Sequence, residues 1–269
     1  MRPKRYFGAG LQREIERLEA QSMAFSDELA AEAKLLSLKP GLKVLDAGCG
    51  SGAIMRWIAK LVAPTKVIGI DKDPTFLQAA RKEAERQRVR NVDFREVDVH
   101  GMEFADASFD LTYCRLVLPF VKDPLGALLE LKRVTRPGGR VAIVEPTGML
   151  AHPEPKAGLR ASNKIAKYLN RGQRSWSANF DGSKLMARAR FRKVEAYTLP
   201  DFASQQNPKH LRELLKPVFM QEDIYGEGAV KAGFISAREL QLGKQDLEKF
   251  LTNPESFWIA LMSLRVGVV

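Results

Sequence analysis

Apolar and polar residues alternate along the middle of the chain in blocks that predict strands and helices in turn. Runs rich in Val, Ile and Leu are each followed by a stretch with helical periodicity. We predict strands at 43–47, 66–71, 92–98, 109–114 and 140–145, and helices at 52–62, 74–89 and 123–135. This alternation indicates a mainly parallel sheet with helices on both faces.

Both ends of the chain are predicted to be mainly helical. Residues 11–38 have the periodicity of one helix, which Pro40-Gly41 stops. Residues 149–180 interrupt the alternation, because they are rich in Pro, Gly, Asn and Ser around a single helix. Further on, we predict helices at 182–190, 207–221, 222–232 and 244–251, and strands at 191–199 and 257–266.

The first predicted strand ends in an acid and opens into a Gly-x-Gly-x-Gly turn, Val44-Leu45-Asp46-Ala47-Gly48-Cys49-Gly50-Ser51-Gly52. Glycine permits a tight turn and lets a ligand touch the main chain. The helix that follows directs its free N–H groups back at the turn. The second strand ends in Asp71, where a carboxylate suits the two hydroxyl donors of a ribose. Together these features predict a nucleoside-containing ligand.

The spacing of the glycines argues against a dinucleotide. A dinucleotide fingerprint, G-x-G-x-x-G, would place its third glycine where this chain has Ala53. Asp46, just before the turn, would also repel a pyrophosphate. The pattern therefore favours a ligand with a cationic end, such as the amino group of a methionine moiety.

In these motifs the chain resembles the S-adenosylmethionine-dependent methyltransferases of the Rossmann-like class, and is closest to the small-molecule methyltransferases. The glycine turn is similar to the family's first motif, Asp71 to its ribose-binding acid, and Asp98-Val99 to its adenine-contacting pair. Residues 108–113 and 133–140 are similar to the fourth strand and to the turn before the fifth. All of these motifs occur in the family's order.

The resemblance implies a doubly wound α/β fold with a seven-stranded, mainly parallel sheet, an antiparallel last strand and a helical cap. It implies one methyltransferase domain over 1–269, with a cap helix at 1–38, a cofactor-binding core at 39–148, and a substrate cap plus the rest of the sheet at 149–269. The helical cap would combine the N-terminal helix with residues 149–180 and 205–250.

The cofactor implied by the resemblance is S-adenosyl-L-methionine. Gln21, in the predicted cap helix, is the residue expected to reach the methionine carboxylate. The complete set of implied cofactor-binding residues is Gln21, Asp46, Gly48, Cys49, Gly50, Ser51, Gly52, Asp71, Lys72, Asp98, Val99, Cys114, Arg115 and Leu116.

No catalytic residue is assigned, because in-line methyl transfer depends mostly on positioning the acceptor. Cys114 is either a nucleophile or a small buried thiol, and its Tyr-Cys-Arg context favours the thiol. His152 is either a general base or a loop histidine. Glu145, at the end of the fifth strand, either contacts the acceptor or makes a structural hydrogen bond.

Metal binding and membrane insertion are not predicted. The three histidines, His100, His152 and His210, are scattered and lack the spacing of metal ligands. No run of eighteen apolar residues predicts a membrane span. The chain has two cysteines, too few for a disulfide framework, so we expect a cytoplasmic protein.

The net charge of +11 is concentrated in residues 156–193, which contain eleven Lys and Arg residues and one acid, Asp181. Within it, a predicted basic helix at 156–171 carries a stripe formed by Lys156, Arg160, Lys164, Lys167 and Arg171. The stripe is either a solvated face or a surface that recruits an anionic acceptor, RNA or an anionic membrane.

From the family resemblance we expect methyl transfer to a small-molecule acceptor, anionic or not. The alternatives are an RNA methyltransferase and a non-catalytic S-adenosylmethionine-binding protein.

Overall fold

The computed structural model describes residues 11–24, 26–169 and 181–269, and these form two compact units. The sheet unit contains the described residues of 27–147, 177–199 and 261–269, and the helical unit contains those of 11–26, 148–176 and 200–260. The ranges of the helical unit are close to those expected for the helical cap. That the two units make one domain stays a prediction.

The order of elements follows the predicted alternation. The helices are α1 (Leu11–Ala24), α2 (Ser26–Leu35), α3 (Ala53–Val62), α4 (Pro74–Arg86), α5 (Pro124–Val134), α6 (Lys156–Leu169), α7 (Gly182–Arg188), α8 (Pro208–Lys231) and α9 (Ala237–Thr252). The strands are β1 (Val44–Ala47), β2 (Val67–Asp71), β3 (Val92–Glu96), β4 (Phe109–Arg115), β5 (Thr135–His152), β6 (Lys193–Ser204) and β7 (Phe257–Val268). A short 3₁₀ helix spans Leu118–Phe120.

The seven strands form one sheet in the order β3-β2-β1-β4-β5-β7-β6, with β7 antiparallel. The predicted fold class is therefore confirmed. The pairs β1–β2, β1–β4, β2–β3 and β4–β5 are parallel. Asp46 pairs with Gly69 on one side and with Tyr113 on the other. Because parallel strands end at the same edge of a sheet, this register brings the ends of β1, β2 and β4 together.

One hydrophobic cluster of the sheet unit lies between the strands and the helices α5 and α7. Strands β1 and β4 are almost wholly buried, as expected where helices cover both faces of a parallel sheet. Helix α5 begins where Asp123 accepts a hydrogen bond from the Gly126 N–H, with Pro124 in the first turn. The buried cluster includes Leu45, Cys114, Leu128, Leu131, Ile143 and Met186.

The core of the helical unit joins α6, α8 and α9. The prediction of separate helices at 207–221 and 222–232 is wrong, because α8 is continuous. Its glycines are sites of close packing: a Cβ on Gly226 would lie 2.7 Å from Leu240 of α9, and one on Gly228 would lie 2.6 Å from the hydroxyl of Tyr168 in α6. Tertiary contacts thus maintain a helix where local propensity weakens it.

Other boundaries also differ from the sequence prediction. The helix predicted at 11–38 corresponds to α1 and α2, and because residue 25 lies outside the described residues, the continuity of this helix stays a prediction. Strand β5 is far longer than the predicted 140–145. The prediction of an irregular stretch at 149–180 is partly wrong, since β5 continues to His152 and α6 follows. The end of that stretch, with Arg171 of the basic stripe, lies outside the described residues. Among the described helices, none combines the length and apolar composition needed to cross a membrane.

Candidate functional site

The glycine turn after β1 has a backbone that side chains would not tolerate. Gly48 and Gly52 adopt φ of 79° and 75°, in the left-handed region. A Cβ on Gly48 would lie 2.3 Å from Cγ2 of Val117, and one on Gly52 would lie 2.9 Å from the ring of Phe94. The N–H of Gly48 donates to the carbonyl of Ile70 at 2.7 Å, which fixes the turn to the end of β2. The turn leads directly into the start of α3, where helix N–H groups attract electron-rich ligand atoms.

Asp71 helps to hold this turn, a role that its sequence position did not indicate. Its Oδ2 accepts a hydrogen bond from the Gly50 N–H at 3.0 Å, and its Oδ1 accepts one from the Asp73 N–H at 2.9 Å. Burial raises the pKa of Asp71, although these two N–H groups lower it. Each carboxylate oxygen has a second lone pair, so Asp71 retains the capacity to accept hydrogen bonds from ribose hydroxyls.

Asp46 is a buried acid whose hydrogen-bonding capacity is only partly satisfied. It is buried, and its Oδ2 finds no hydrogen-bond partner among the described residues. Burial and then the charge of Asp71 raise its pKa from 3.8 to about 7, while Arg115 lowers it. A buried carboxylate without a partner is costly unless a donor or a cation approaches it. This arrangement fits the amino group of the methionine moiety that the sequence predicts.

Three further candidate residues, Cys49, Ser51 and Lys72, lie in the turn or beside Asp71. Cys49 is buried, and burial followed by the charges of Asp46 and Asp71 raises the pKa of its thiol well above 9.0. Ser51 is also buried, and its carbonyl accepts a hydrogen bond from Arg56 at 2.8 Å. Lys72 is exposed beside Asp71. Their contacts with a cofactor stay predictions.

Asp98 and Val99 follow β3, as the adenine-contacting pair should. Asp98 is exposed, and its Oδ1 lies 2.6 Å from Nδ1 of His100 and accepts from the His100 N–H at 2.9 Å. Burial alone would raise the pKa of Asp98, but the hydrogen bonds from His100 outweigh it and leave the pKa lowered. The side chain of Val99 packs into the core, so only its main chain is suited to contact adenine.

The three candidate residues at the end of β4 are Cys114, Arg115 and Leu116, and they have different surroundings. Cys114 is fully buried, and burial raises the pKa of its thiol well above 9.0, which favours the buried-thiol interpretation over the nucleophile. Leu116 adopts φ of 58°, an unusual value for a branched side chain, and its N–H donates to the carbonyl of Val144 at 2.9 Å. Such backbone strain is typical of functional sites.

Arg115 belongs to a buried ionic network that the sequence did not predict. Its guanidinium donates to Glu28 at 2.9 and 3.2 Å and also to Glu32, both from α2. The Tyr113 hydroxyl donates to Glu32 at 2.5 Å. Burial raises the pKa of Glu32 to about 8 despite the charge of Arg115. The sequence signal for this network was the spacing of Glu28 and Glu32, since residues one helical turn apart lie on the same face of a helix.

Glu145 is a buried acid in β5. Neither of its oxygens has a hydrogen-bond partner within the described parts of the chain. Burial raises its pKa to about 8, although the nearby N–H groups of Val117 and Leu118 and the charge of Arg115 lower it. Whether Glu145 contacts an acceptor stays a prediction.

The remaining candidates lie in the helical unit. The side-chain oxygen of Gln21 accepts a hydrogen bond from Arg17 at 3.3 Å. Its contact with the methionine carboxylate stays a prediction. His152 is exposed and stacks on Phe257, and Nε2 of His210 lies 2.7 Å from Oδ1 of the buried Asp201. Within the described ranges, no three His, Cys, Asp or Glu residues are grouped to hold a metal ion.

The comparisons with known proteins agree with this geometry. A family model described as a methyltransferase domain matches residues 38–213. The chain is 37% identical over 120 residues to an uncharacterized methyltransferase of Schizosaccharomyces pombe, covering 42% of this chain and 43% of the relative. It is 36% identical over 112 residues to a ubiquinone/menaquinone biosynthesis C-methyltransferase of Bdellovibrio bacteriovorus, covering 42% of this chain and 47% of that protein.

Among solved structures, the YcgJ protein from Bacillus subtilis superposes with a TM-score of 0.57 at 19% identity, over 90% of this chain and 97% of that chain. At this identity the likeness shows the fold alone. The chain spans less than half the length of the curated relatives it matches. Because the family model covers well over half of the chain and the sheet carries the family's motifs in order, the protein belongs to the S-adenosylmethionine-dependent methyltransferases of the Rossmann-like class.

Proposed function

We propose that this enzyme binds S-adenosylmethionine at the ends of β1, β2 and β3 and transfers its methyl group to a small-molecule acceptor. Asp46 carries the proposal, because its buried Oδ2, which has no hydrogen-bond partner among the described residues, is suited to a ligand ammonium group. When bound, S-adenosylmethionine supplies an electrophilic methyl group on a cationic sulfur. Asp71 would bind the ribose hydroxyls, and Asp98 and the Val99 main chain would bind adenine.

The protein's contribution to the reaction is chiefly positioning. Holding the acceptor atom in line with the methyl group replaces a bimolecular encounter with an oriented one. A general base is needed only where the acceptor keeps its proton until transfer. The similarity to the Bdellovibrio relative, a ubiquinone/menaquinone biosynthesis C-methyltransferase, supports a small-molecule acceptor here.

Calorimetry with S-adenosylhomocysteine and NAD tests the cofactor assignment. We expect S-adenosylhomocysteine to bind and NAD not to bind, because Asp46 would repel a pyrophosphate. Labelled methyl uptake from S-adenosylmethionine into extracted small molecules and into total RNA then tests the acceptor. Tight NAD binding without S-adenosylhomocysteine binding would refute the proposal.

A second candidate, an RNA acceptor, is supported by exposed basic side chains on α6, notably Lys156, Arg160 and Lys167. The stripe is partly neutralised, because Lys164 forms an ion pair with Glu239 at 2.6 Å. The salt dependence of the acceptor's KM distinguishes the candidates. RNA would give a log–log slope of several units, whereas a small anionic acceptor would give a shallow one. Charge reversal at Lys167 should raise KM in both cases and leave KM unchanged for an uncharged acceptor.

A further inference from the structure

Two groups of opposite charge in the sheet unit have buried atoms with unmet hydrogen bonds. Neither oxygen of Glu145 has a hydrogen-bond partner among the described residues, and the same is true of Nη1 of Arg265. Glu145 is 2% exposed, and its strand, β5, is adjacent to β7, which carries Arg265. The two groups therefore do not hydrogen-bond to each other, and each lacks a partner that its burial makes costly to lose.

The side chains of Glu145 and Arg265 lie on the same face of the sheet. Side chains alternate along a strand, so Glu145 shares its face with Val141 and Ile143, which pack into the hydrophobic cluster that includes α7. Arg265 also faces α7, because its Nε donates to the hydroxyl of Ser183 at 2.9 Å. Burial raises the pKa of Glu145, and the charge of Arg265 is among the influences that lower it. The two groups are thus close enough to share one small ligand group.

Glu145 also lies close to the methionine end of the proposed cofactor site, within the same unit. The N–H of Val117 is near its carboxylate, and the side chain of Val117 packs against Gly48, where a Cβ would lie 2.3 Å from Cγ2. Burial and then the charges of Glu145 and Asp46 raise the pKa of the Cys114 thiol, so both acids lie near this thiol. A ligand group bound by Glu145 would therefore be beside the moiety that carries the transferable methyl group.

The unmet atoms select a neutral group that both donates and accepts a hydrogen bond. An ammonium group would pair with Glu145 but would be repelled by Arg265, and a carboxylate would have the opposite difficulty. A hydroxyl can donate to Glu145 and accept from Nη1 of Arg265 at the same time. Both bonds have a charged partner, which makes them stronger than bonds between neutral groups. A bound hydroxyl would thus recover the free energy that unpaired burial costs the free protein.

We propose that Glu145 and Arg265 bind a hydroxyl group of the methyl acceptor, so that the acceptor is an alcohol or a phenol. The identification of the ligand as the acceptor rests on the proposed function. The recognition of a hydroxyl rests on the two unmet groups and on the face that they share.

The probes are two matched pairs, 4-fluorophenol with 4-fluoroanisole, and 4-fluorobenzyl alcohol with its methyl ether. In each pair the ether keeps the accepting oxygen and lacks the donated hydrogen. Binding is measured by fluorine NMR titration at pH 8.5 on protein saturated with S-adenosylhomocysteine. Burial raises the pKa of Glu145 to about 8, so its carboxyl group is mostly ionised at this pH. The pair that shows a preference distinguishes an alcohol from a phenol.

The wild type should bind the hydroxyl member of at least one pair about tenfold more tightly than its ether, as expected for one hydrogen bond to a charged group. Glu145→Met should lose this preference, and Glu145→Gln, which keeps the shape but not the charge, should show a smaller one. Arg265→Met should weaken both members of the pair, since both oxygens accept from Nη1. Glu103→Gln is the control and should behave as the wild type, because Glu103 is an exposed acid of the same unit outside this site.

Urea unfolding at pH 8.5 distinguishes this site from a structural role. If the carboxylate of Glu145 serves mainly to hold the N–H groups of Val117 and Leu118, Glu145→Gln should unfold at a lower urea midpoint than the wild type. The proposed site predicts a higher midpoint, because an ionised carboxylate buried without a hydrogen-bond partner destabilises the free protein.

A lower midpoint would overturn the proposal, as would equal affinities within both probe pairs or a preference that persists in Glu145→Met. Absence of binding for all four probes would also overturn it and would leave the pair to a buried water. Calorimetry with S-adenosylhomocysteine on the same proteins separates this test from the cofactor assignment. Failure of the wild type to bind S-adenosylhomocysteine would refute the proposed function, whereas the urea comparison, which contains no cofactor, tests the unmet groups by itself.

Discussion

Replacing Asp46 with Asn should weaken cofactor binding and remove the part of its pH dependence that comes from Asp46. The raised pKa of about 7 means that Asp46 is protonated in the free protein below pH 7. An ammonium group binds the ionised form, so binding below pH 7 must first remove the proton. This costs about 1.4 kcal/mol for each pH unit below the pKa. Affinity for S-adenosylhomocysteine should therefore fall about tenfold per pH unit below pH 7 and level off above it.

The assay is calorimetric titration with S-adenosylhomocysteine between pH 5.5 and pH 8. Wild-type affinity should be about 30-fold weaker at pH 5.5 than at pH 8. Because Asp71 also has a raised pKa, methylthioadenosine is the matched control. It retains the ribose and adenine but lacks the amino group, so it reports Asp71 without Asp46. The pH dependence that S-adenosylhomocysteine shows and methylthioadenosine lacks is the part assigned to Asp46.

The same substitution has an opposite effect on stability. A carboxyl group whose pKa is raised by folding contributes stability below its unfolded pKa and loses that contribution as the pH rises through the folded value. For Asp46 this window runs from 3.8 to about 7. The loss of unfolding free energy across this window is at most about 4 kcal/mol at pH 8. Asp46→Asn should thus unfold at higher urea concentration than the wild type at pH 8.

For cofactor binding, a wild-type affinity that is flat with pH, or an Asn variant that binds like the wild type at pH 8, would refute this reasoning.

Other predictions follow from the same site. Asp71→Asn should weaken both S-adenosylhomocysteine and methylthioadenosine by about 1–3 kcal/mol in calorimetry, and equal affinity would contradict a ribose contact. Gly48→Ala should abolish cofactor binding in the same assay, because its Cβ would overlap Val117 at 2.3 Å; wild-type binding would disprove this. Arg115→Met should lower the free energy of unfolding in urea by about 3–5 kcal/mol, because it leaves Glu32 and its neighbouring acid buried without a cation. Methyl transfer should persist in chelator, and a rate restored only by magnesium would contradict that expectation.

The glycine turn and the acids of β1 and β2 could be predicted from the sequence because their requirements are local. Gly48 and Gly52 are needed wherever the backbone adopts positive φ at a strand–helix junction. The alternation of apolar blocks likewise predicts the parallel sheet, since each block must bury itself against its neighbours. The family resemblance depends on these same local motifs. This is why the fold class is confirmed while the acceptor remains a proposal.

Contacts between distant parts of the chain were decided by the tertiary structure alone. Arg115 meets Glu28 at a separation of 87 residues, and no local pattern pairs them. The same holds for the continuity of α8, whose glycines are stabilised by packing against other helices. The tertiary structure also decides that Phe202 of β6 is exposed. Period-two alternation shows that one side of a strand differs from the other but not which side is covered. Burial, and with it the pKa of Asp46, depends on how many neighbours surround a side chain, and that number is set only when the elements pack together.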